Sequence, residues 1–135
     1  PIGVADIKRK GKDVTVVSFG KIIKEAYKAA DELEKEGIEC EIIDLRTLRP
    51  IDYDTVLESV KKTNRLVILE EAWPFGNIST DISHKVQNEI FDFLDAPVEK
   101  VNNADTPTPY SPVLLEEWLP NSDEVIKAVK KVLYI

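Results

Sequence analysis

Methionine is absent from the 135 residues, and cysteine and histidine occur once each. The first position is Pro1, and no residue serves as an initiator, so Pro1 reads as an internal position of a longer chain. A lone Cys40 excludes an intrachain disulfide and a cysteine-rich zinc centre. With His84 alone, a two-histidine metal site cannot be built, and carboxylates would have to complete any ligand set. No apolar run approaches the roughly 20 residues that span a bilayer, and the first residues lack a signal-peptide core. Glycine is scarce, and G-x-G-x-x-G, Walker and G-x-S-x-G patterns are missing. Net positive charge is missing too. At −7, with a pI near 4.8, the surface repels nucleic acid and anionic membranes. That charge suits either solubility alone or a partner with a basic patch.

What is present is a core. Hydrophobic residues make up 43% of a chain long enough for one domain. Lys8, Arg9, Lys10 and Lys12 around Gly11 make 1–13 read as a linker, with the domain proper at 14–135. Val14 to Phe19 is a β-branched run, a buried strand. A helix follows with Ile22, Ile23, Ala26, Tyr27, Ala30 and Leu33 on one face, closed by Gly37 at C′. Glu39–Leu45 predicts a second strand, where Cys40 is an inert buried thiol, and Asp52 the N-cap of a second helix. Leu66–Leu69 predicts a central strand, and Asn77 caps a helix through Ile78, Ile82, Val86, Ile90 and Leu94. After a strand at 98–101, three prolines between Asp105 and Pro112 mark a loop. Asn121 with Glu124 forms a capping box for the last helix. Strand and helix alternate throughout, which predicts an α/β fold with a mainly parallel sheet and helices on both faces.

Chemistry is sparse. The Ser18-Phe19-Gly20 turn offers backbone amides to an anion, or is simply a tight strand-to-helix turn. Glu70 and Glu71 are adjacent at a strand end, so their side chains diverge; one caps local amides and the other meets solvent or a partner. Trp73 and Phe75 are loop aromatics that either anchor an interface or pack on the domain's own core. His84 reads as a solvated helix residue. The residues thus leave three functional classes open: an assembly domain, an anion-binding module using Ser18 and Gly20, and a small enzyme using Glu70, Glu71 or His84. No catalytic constellation is convincing.

Several segments in order bear a family resemblance. These are 11–20 (Gly-Lys-Asp-Val-Thr-Val-Val-Ser-Phe-Gly), 43–52 (Ile-Asp-Leu-Arg-Thr-Leu-Arg-Pro-Ile-Asp) and 64–71 (Asn-Arg-Leu-Val-Ile-Leu-Glu-Glu) with Trp73-Pro74. Residues 92–98 and 104–110, ending in Pro-Thr-Pro-Tyr, complete the series. Together the chain resembles the carboxy-terminal, transketolase-type domain of beta subunits in the 2-oxo acid dehydrogenase family, pyruvate dehydrogenase more than the branched-chain enzyme, with a related 2-oxo acid or acetoin dehydrogenase as the alternative. The resemblance implies a parent enzyme using thiamine diphosphate and Mg, bound outside this domain at the alpha subunit and the first beta domain. It implies no catalytic, cofactor or metal residue here. It implies partners instead: the alpha subunit, a second beta subunit, and the subunit-binding domain of the dihydrolipoyl acyltransferase. Asp95 and the carboxylate of Ile135 occupy positions that resemble contacts for that basic binding domain. The implied location is bacterial cytoplasm or mitochondrial matrix, according to the organism.

Overall fold

The computed structural model describes residues 1–135. Its strands are β1 (Asp6–Arg9), β2 (Val14–Ser18), β3 (Cys40–Asp44), β4 (Leu66–Leu69) and β5 (Glu99–Val101). They form one sheet in the order β1-β3-β2-β4-β5. All neighbours are parallel except β1, which runs antiparallel to β3. The helices are α1 (Ile23–Lys35), α2 (Tyr53–Thr63), α3 (Ile78–Ile90), α4 (Pro112–Trp118) and α5 (Ser122–Leu133). No helix is long and apolar enough to cross a membrane.

Two hydrophobic layers follow from strand alternation. Val14 and Val16 of β2 and Val67 and Leu69 of β4 pack under α1 and α5, against Ala26, Ala29, Leu33, Val125, Val129 and Val132. On the opposite face, Val17, Ile43, Leu66 and Ile68 meet Val56, Val60, Ile82 and Val86 of α2 and α3. Helices thus cover both faces, which is the expected α/β architecture with a mainly parallel sheet. Strands buried on both sides read as unbroken apolar runs, and β4 (Leu-Val-Ile-Leu) is wholly buried.

Local chemistry terminates these elements. Gly37 takes a φ of +82°, with its N–H on Glu34 O and the Ile38 N–H on Leu33 O, a Schellman closure of α1. The Asp52 carboxylate accepts from Thr55 N at 3.1 Å to cap α2, and its other oxygen accepts from Ala5 N at 2.9 Å. Asn121 and Glu124 make the reciprocal capping box of α5.

The stretch 1–13 is a correction. It is not a free linker, because Asp6–Arg9 adds an edge strand to β3 and Gly3 N donates to Thr47 Oγ1 at 3.1 Å. Its Lys and Arg side chains hide the strand in the sequence, yet they suit an exposed edge, where Arg9 pairs with Asp31 at 2.6 Å and Glu34 at 2.9 Å. Helix α4 is a second departure. The loop predicted by the prolines ends at Ser111, and Pro112 opens the helix at a position where its missing N–H has no consequence.

Candidate functional site at the two ends of the sheet

Parallel strands give the domain a carboxyl end and an amino end, and the exposed apolar residues collect at both. The crossovers from β2 lead to β3 on one side and onward to β4 on the other. The topological switch point therefore lies between the carboxyl ends of β2 and β4, where ligands of such sheets tend to sit.

Ser18 closes β2 there. It is fully buried and its Oγ has no hydrogen-bond partner, while Gly20 two residues on is exposed, with a φ of +71° and open space where a Cβ would stand. The two thus do not present one solvent-facing cradle.

Glu70 follows β4 and is also fully buried. Its carboxylate accepts from Ser79 N at 3.2 Å, from the Ser79 hydroxyl and from Asn102 Nδ2 at 2.9 Å. It therefore ties the first turn of α3 to the segment after β5. Asn77, expected to cap α3 with its side chain, instead donates to Phe75 O at 3.1 Å and to Trp73 O. Glu71 is exposed. The two carboxylates diverge as strand geometry requires, and His84 stands on the exposed side of α3. These three groups do not converge on a reacting atom.

Trp73 and Phe75 project from the 71–77 loop. The Trp73 indole donates to Thr106 O at 2.9 Å, and Trp118 of α4 donates to the same carbonyl at 3.0 Å. Trp73 nevertheless stays 47% exposed and Phe75 88% exposed, with Tyr110, Val113 and Leu114 also open to solvent. Trp73 is thus partly anchored on its own domain, and Phe75 is not. The backbone under them is fixed: Lys100 Nζ donates to Pro74 O at 2.8 Å, and Asn103 N to Ala72 O at 3.0 Å. Binding at this end would cost little loop ordering.

The amino end holds the other expected pair. Asp95 lies in the turn after a short 3₁₀ segment (Phe91–Phe93), its N–H bonded to Asn64 O at 2.9 Å. Asn64 takes a φ of +63° and donates Nδ2 to Phe93 O at 2.8 Å, which pins the turn. Tyr134 Oη donates to Asp95 O at 3.3 Å, so Asp95 and the neighbour of Ile135, distant in sequence, are brought together. Ile135 is 73% exposed. Asp95 and Tyr134 help line a groove of about 450 Å³, whose other walls are Phe91, Leu94, Ala96, Pro97 and Val98 with Ser83 and Gln87. The Arg65 guanidinium stands 3.6 Å from Asp95 Oδ2. Arg65 lies within the 64–71 segment, yet no role for it can be read there, because its link to Asp95 spans 30 positions and depends on the fold.

Residues 3–125 match the family described as the transketolase C-terminal domain. The chain belongs to that family. It is 50% identical to the beta subunit of the pyruvate dehydrogenase E1 component of Rickettsia felis, over 99% of this chain and 41% of that protein. It is 53% identical to the same subunit of Rhizobium meliloti, over 99% of this chain and 29% of that one. The beta subunit of the Bacillus subtilis acetoin:2,6-dichlorophenolindophenol oxidoreductase is 44% identical over 98% of this chain and 39% of its own length. Among solved structures, a split-gene transketolase described as an inactive beta4 tetramer superimposes with a TM-score of 0.83 at 32% identity, covering 98% of this chain and 42% of that one. The chain thus spans less than half the length of these relatives. Thiamine diphosphate and Mg are implied by resemblance for a parent enzyme, outside this domain. No three His, Cys, Asp or Glu residues are gathered to hold a metal, and the Ser18 hydroxyl is sealed from solvent.

Proposed function

We propose that this chain is the assembly and partner-docking domain of the beta subunit of a thiamine-diphosphate-dependent pyruvate dehydrogenase, without catalytic activity of its own. The parent enzyme would decarboxylate pyruvate oxidatively and pass the acetyl group to lipoyl carriers. The observation that carries the reading is the match to pyruvate dehydrogenase beta subunits at about half identity over nearly the whole chain. The distribution of side chains supports it. The buried carboxylate at the switch point is engaged in hydrogen bonds that tie elements together, and the aromatic residues face outward. Trp73 and Phe75 at the carboxyl end serve contacts with the alpha subunit and the second beta subunit. Asp95 and Ile135 at the amino end serve the subunit-binding domain of the dihydrolipoyl acyltransferase. An acidic residue in the wall of a partly apolar groove suits a small basic module, and complementary charge speeds the encounter. The compartment follows the organism, since similar proteins include bacterial and mitochondrial subunits.

Titration calorimetry with the subunit-binding domain tests the docking role. Heat is expected with wild type and strongly reduced heat with Asp95→Ala; no heat from either this chain or the intact beta subunit would end the docking reading. A second reading, the beta subunit of an acetoin-cleaving enzyme, is favoured by the 48% identity to the Cupriavidus necator acetoin oxidoreductase beta subunit. Turnover of pyruvate against acetoin by the intact beta subunit with its alpha subunit separates the two.

A further inference from the structure

Arg65 links the Asp95 side chain to the last turn of α5, three residues before Ile135. It sits between α2 and β4 with its side chain 25% exposed. Its Nε donates to Val132 O at 3.1 Å, in the last turn of α5. Its Nη1 lies 3.5 Å from Thr63 O at the end of α2, and its Nη2 lies 3.6 Å from Asp95 Oδ2. One planar guanidinium therefore spans three segments of chain. It also places a cation at the carboxyl ends of two helices, where the unpaired carbonyls favour positive charge. Lysine cannot do this, because its donors radiate from one point and the fork geometry is lost.

The α5 end needs such a restraint. Tyr134 adopts a φ of +60°, a left-handed conformation that residues with a Cβ enter at a cost. That turn carries the Tyr134 ring towards Asp95, where its hydroxyl reaches the Asp95 carbonyl. Tyr134 N and Ile135 N then bond back to Lys131 O and Lys130 O, both at 3.1 Å.

We propose that Arg65 is a positioning residue of the docking end, holding the Asp95 carboxylate and the Tyr134–Ile135 turn in one arrangement before the partner arrives. The inference rests on the docking reading above. Arg65 also shares the Asp95 charge, so a basic group on the partner takes up a carboxylate that is already oriented.

The test uses the intact beta chain and the acyltransferase subunit-binding domain as the probe. Arg65→Lys keeps the charge and removes the fork, and a roughly tenfold weaker association is expected from the lost preorganisation. The same substitution in an Asp95→Ala background is expected to add little, since residues of one network are not additive. Hydrogen exchange of the free chain gives the readout that general stability would not move. Arg65→Lys should speed exchange at residues 133–135 and at Asp95 while the amides of β2 and β4 stay protected. Tyr134→Phe, which leaves Arg65 untouched, should reproduce part of the loss if Arg65→Lys folds poorly. Unchanged affinity in Asp95→Ala would remove the docking reading and this inference with it. Weakened Asp95→Ala alongside unaltered or fully additive Arg65→Lys would overturn the inference alone.

Discussion

Replacing Glu41 by glutamine removes one charge from the sheet while nearly preserving side-chain shape. Glu41 is 1% exposed in β3. Its carboxylate accepts from Ser59 Oγ at 2.6 Å and from Lys62 Nζ, with Gly11 N at 3.4 Å. Ser59 also shares a 2.7 Å hydrogen bond with Thr15 Oγ1, which lies 2.7 Å from Thr63 Oγ1. Breaking a buried ion pair costs about 3–5 kcal/mol when one charge is stranded. Lys62 is half exposed and can turn to water, so the stranding falls away. What is lost is the charge-assisted bond to Ser59 and part of the attraction to Lys62, about 2 kcal/mol. For a domain of this length that corresponds to a fall in Tm of roughly 6–8 °C.

The pH dependence of the Glu41 variant discriminates further. Burial by itself pushes the Glu41 pKa up, but the Lys62 ammonium, the Ser59 hydroxyl and the Gly11 amide outweigh it and hold the group below the ordinary 4.5. A carboxylate with a depressed folded pKa stabilises the fold above its unfolded pKa. That contribution disappears as pH falls through the folded value. Wild type and Glu41→Gln should therefore differ by about 2 kcal/mol at pH 7, and the difference should shrink as pH falls below 4.5 through the depressed folded value. Urea denaturation at pH 7, 5 and 3 measures this directly. A difference that is absent at pH 7, or constant across the range, would refute the electrostatic account.

Three further outcomes are expected. Gly11→Ala should destabilise the domain by about 3 kcal/mol in denaturant titrations, because its Cβ would stand 2.3 Å from the Cys40 carbonyl carbon and 2.4 Å from Glu41 N. The Cys40 thiol, pushed up to about 12 by burial, should resist a thiol reagent at pH 8 until urea unfolds the chain; rapid labelling of the native protein would contradict this. Asn121→Ala removes the acceptor for Glu124 N, 3.0 Å away, and should cost about 1 kcal/mol, read as a lower Tm.

The parts of the fold visible in the sequence are those that depend on local periodicity and on end signals. The β-branched run at 14–18, the apolar 66–69 and the faces of α1, α2, α3 and α5 predict elements that the structure contains. Gly37, Asp52 and the Asn121–Glu124 pair mark boundaries because their chemistry acts within a few residues. β1 was hidden because its identity as a strand comes from pairing with β3, about 35 residues away, while its own side chains are charged. α4 was hidden because only Trp118 is buried, so no apolar stripe repeats along it. At the site, one of Glu70 and Glu71 is expected to cap local amides, but which of them does so, and the contact of Glu70 with Asn102 across 32 positions, cannot be read locally. Arg65 was missed for the same reason.

The shared carbonyl of Thr106 has an optical consequence. The two tryptophans of the chain both donate to it, so the indoles lie at the carboxyl end of the sheet and next to each other. Excitation energy absorbed by one is within reach of the other, and the ultraviolet emission of the whole protein reports on that end. A ligand covering Phe75 should shift the spectrum, whereas one settling beside Asp95 would register chiefly through the phenol of Tyr134. Nature has thus labelled one pole of this domain and left the other dim, and fluorescence recorded without any added dye can tell which pole a partner has approached.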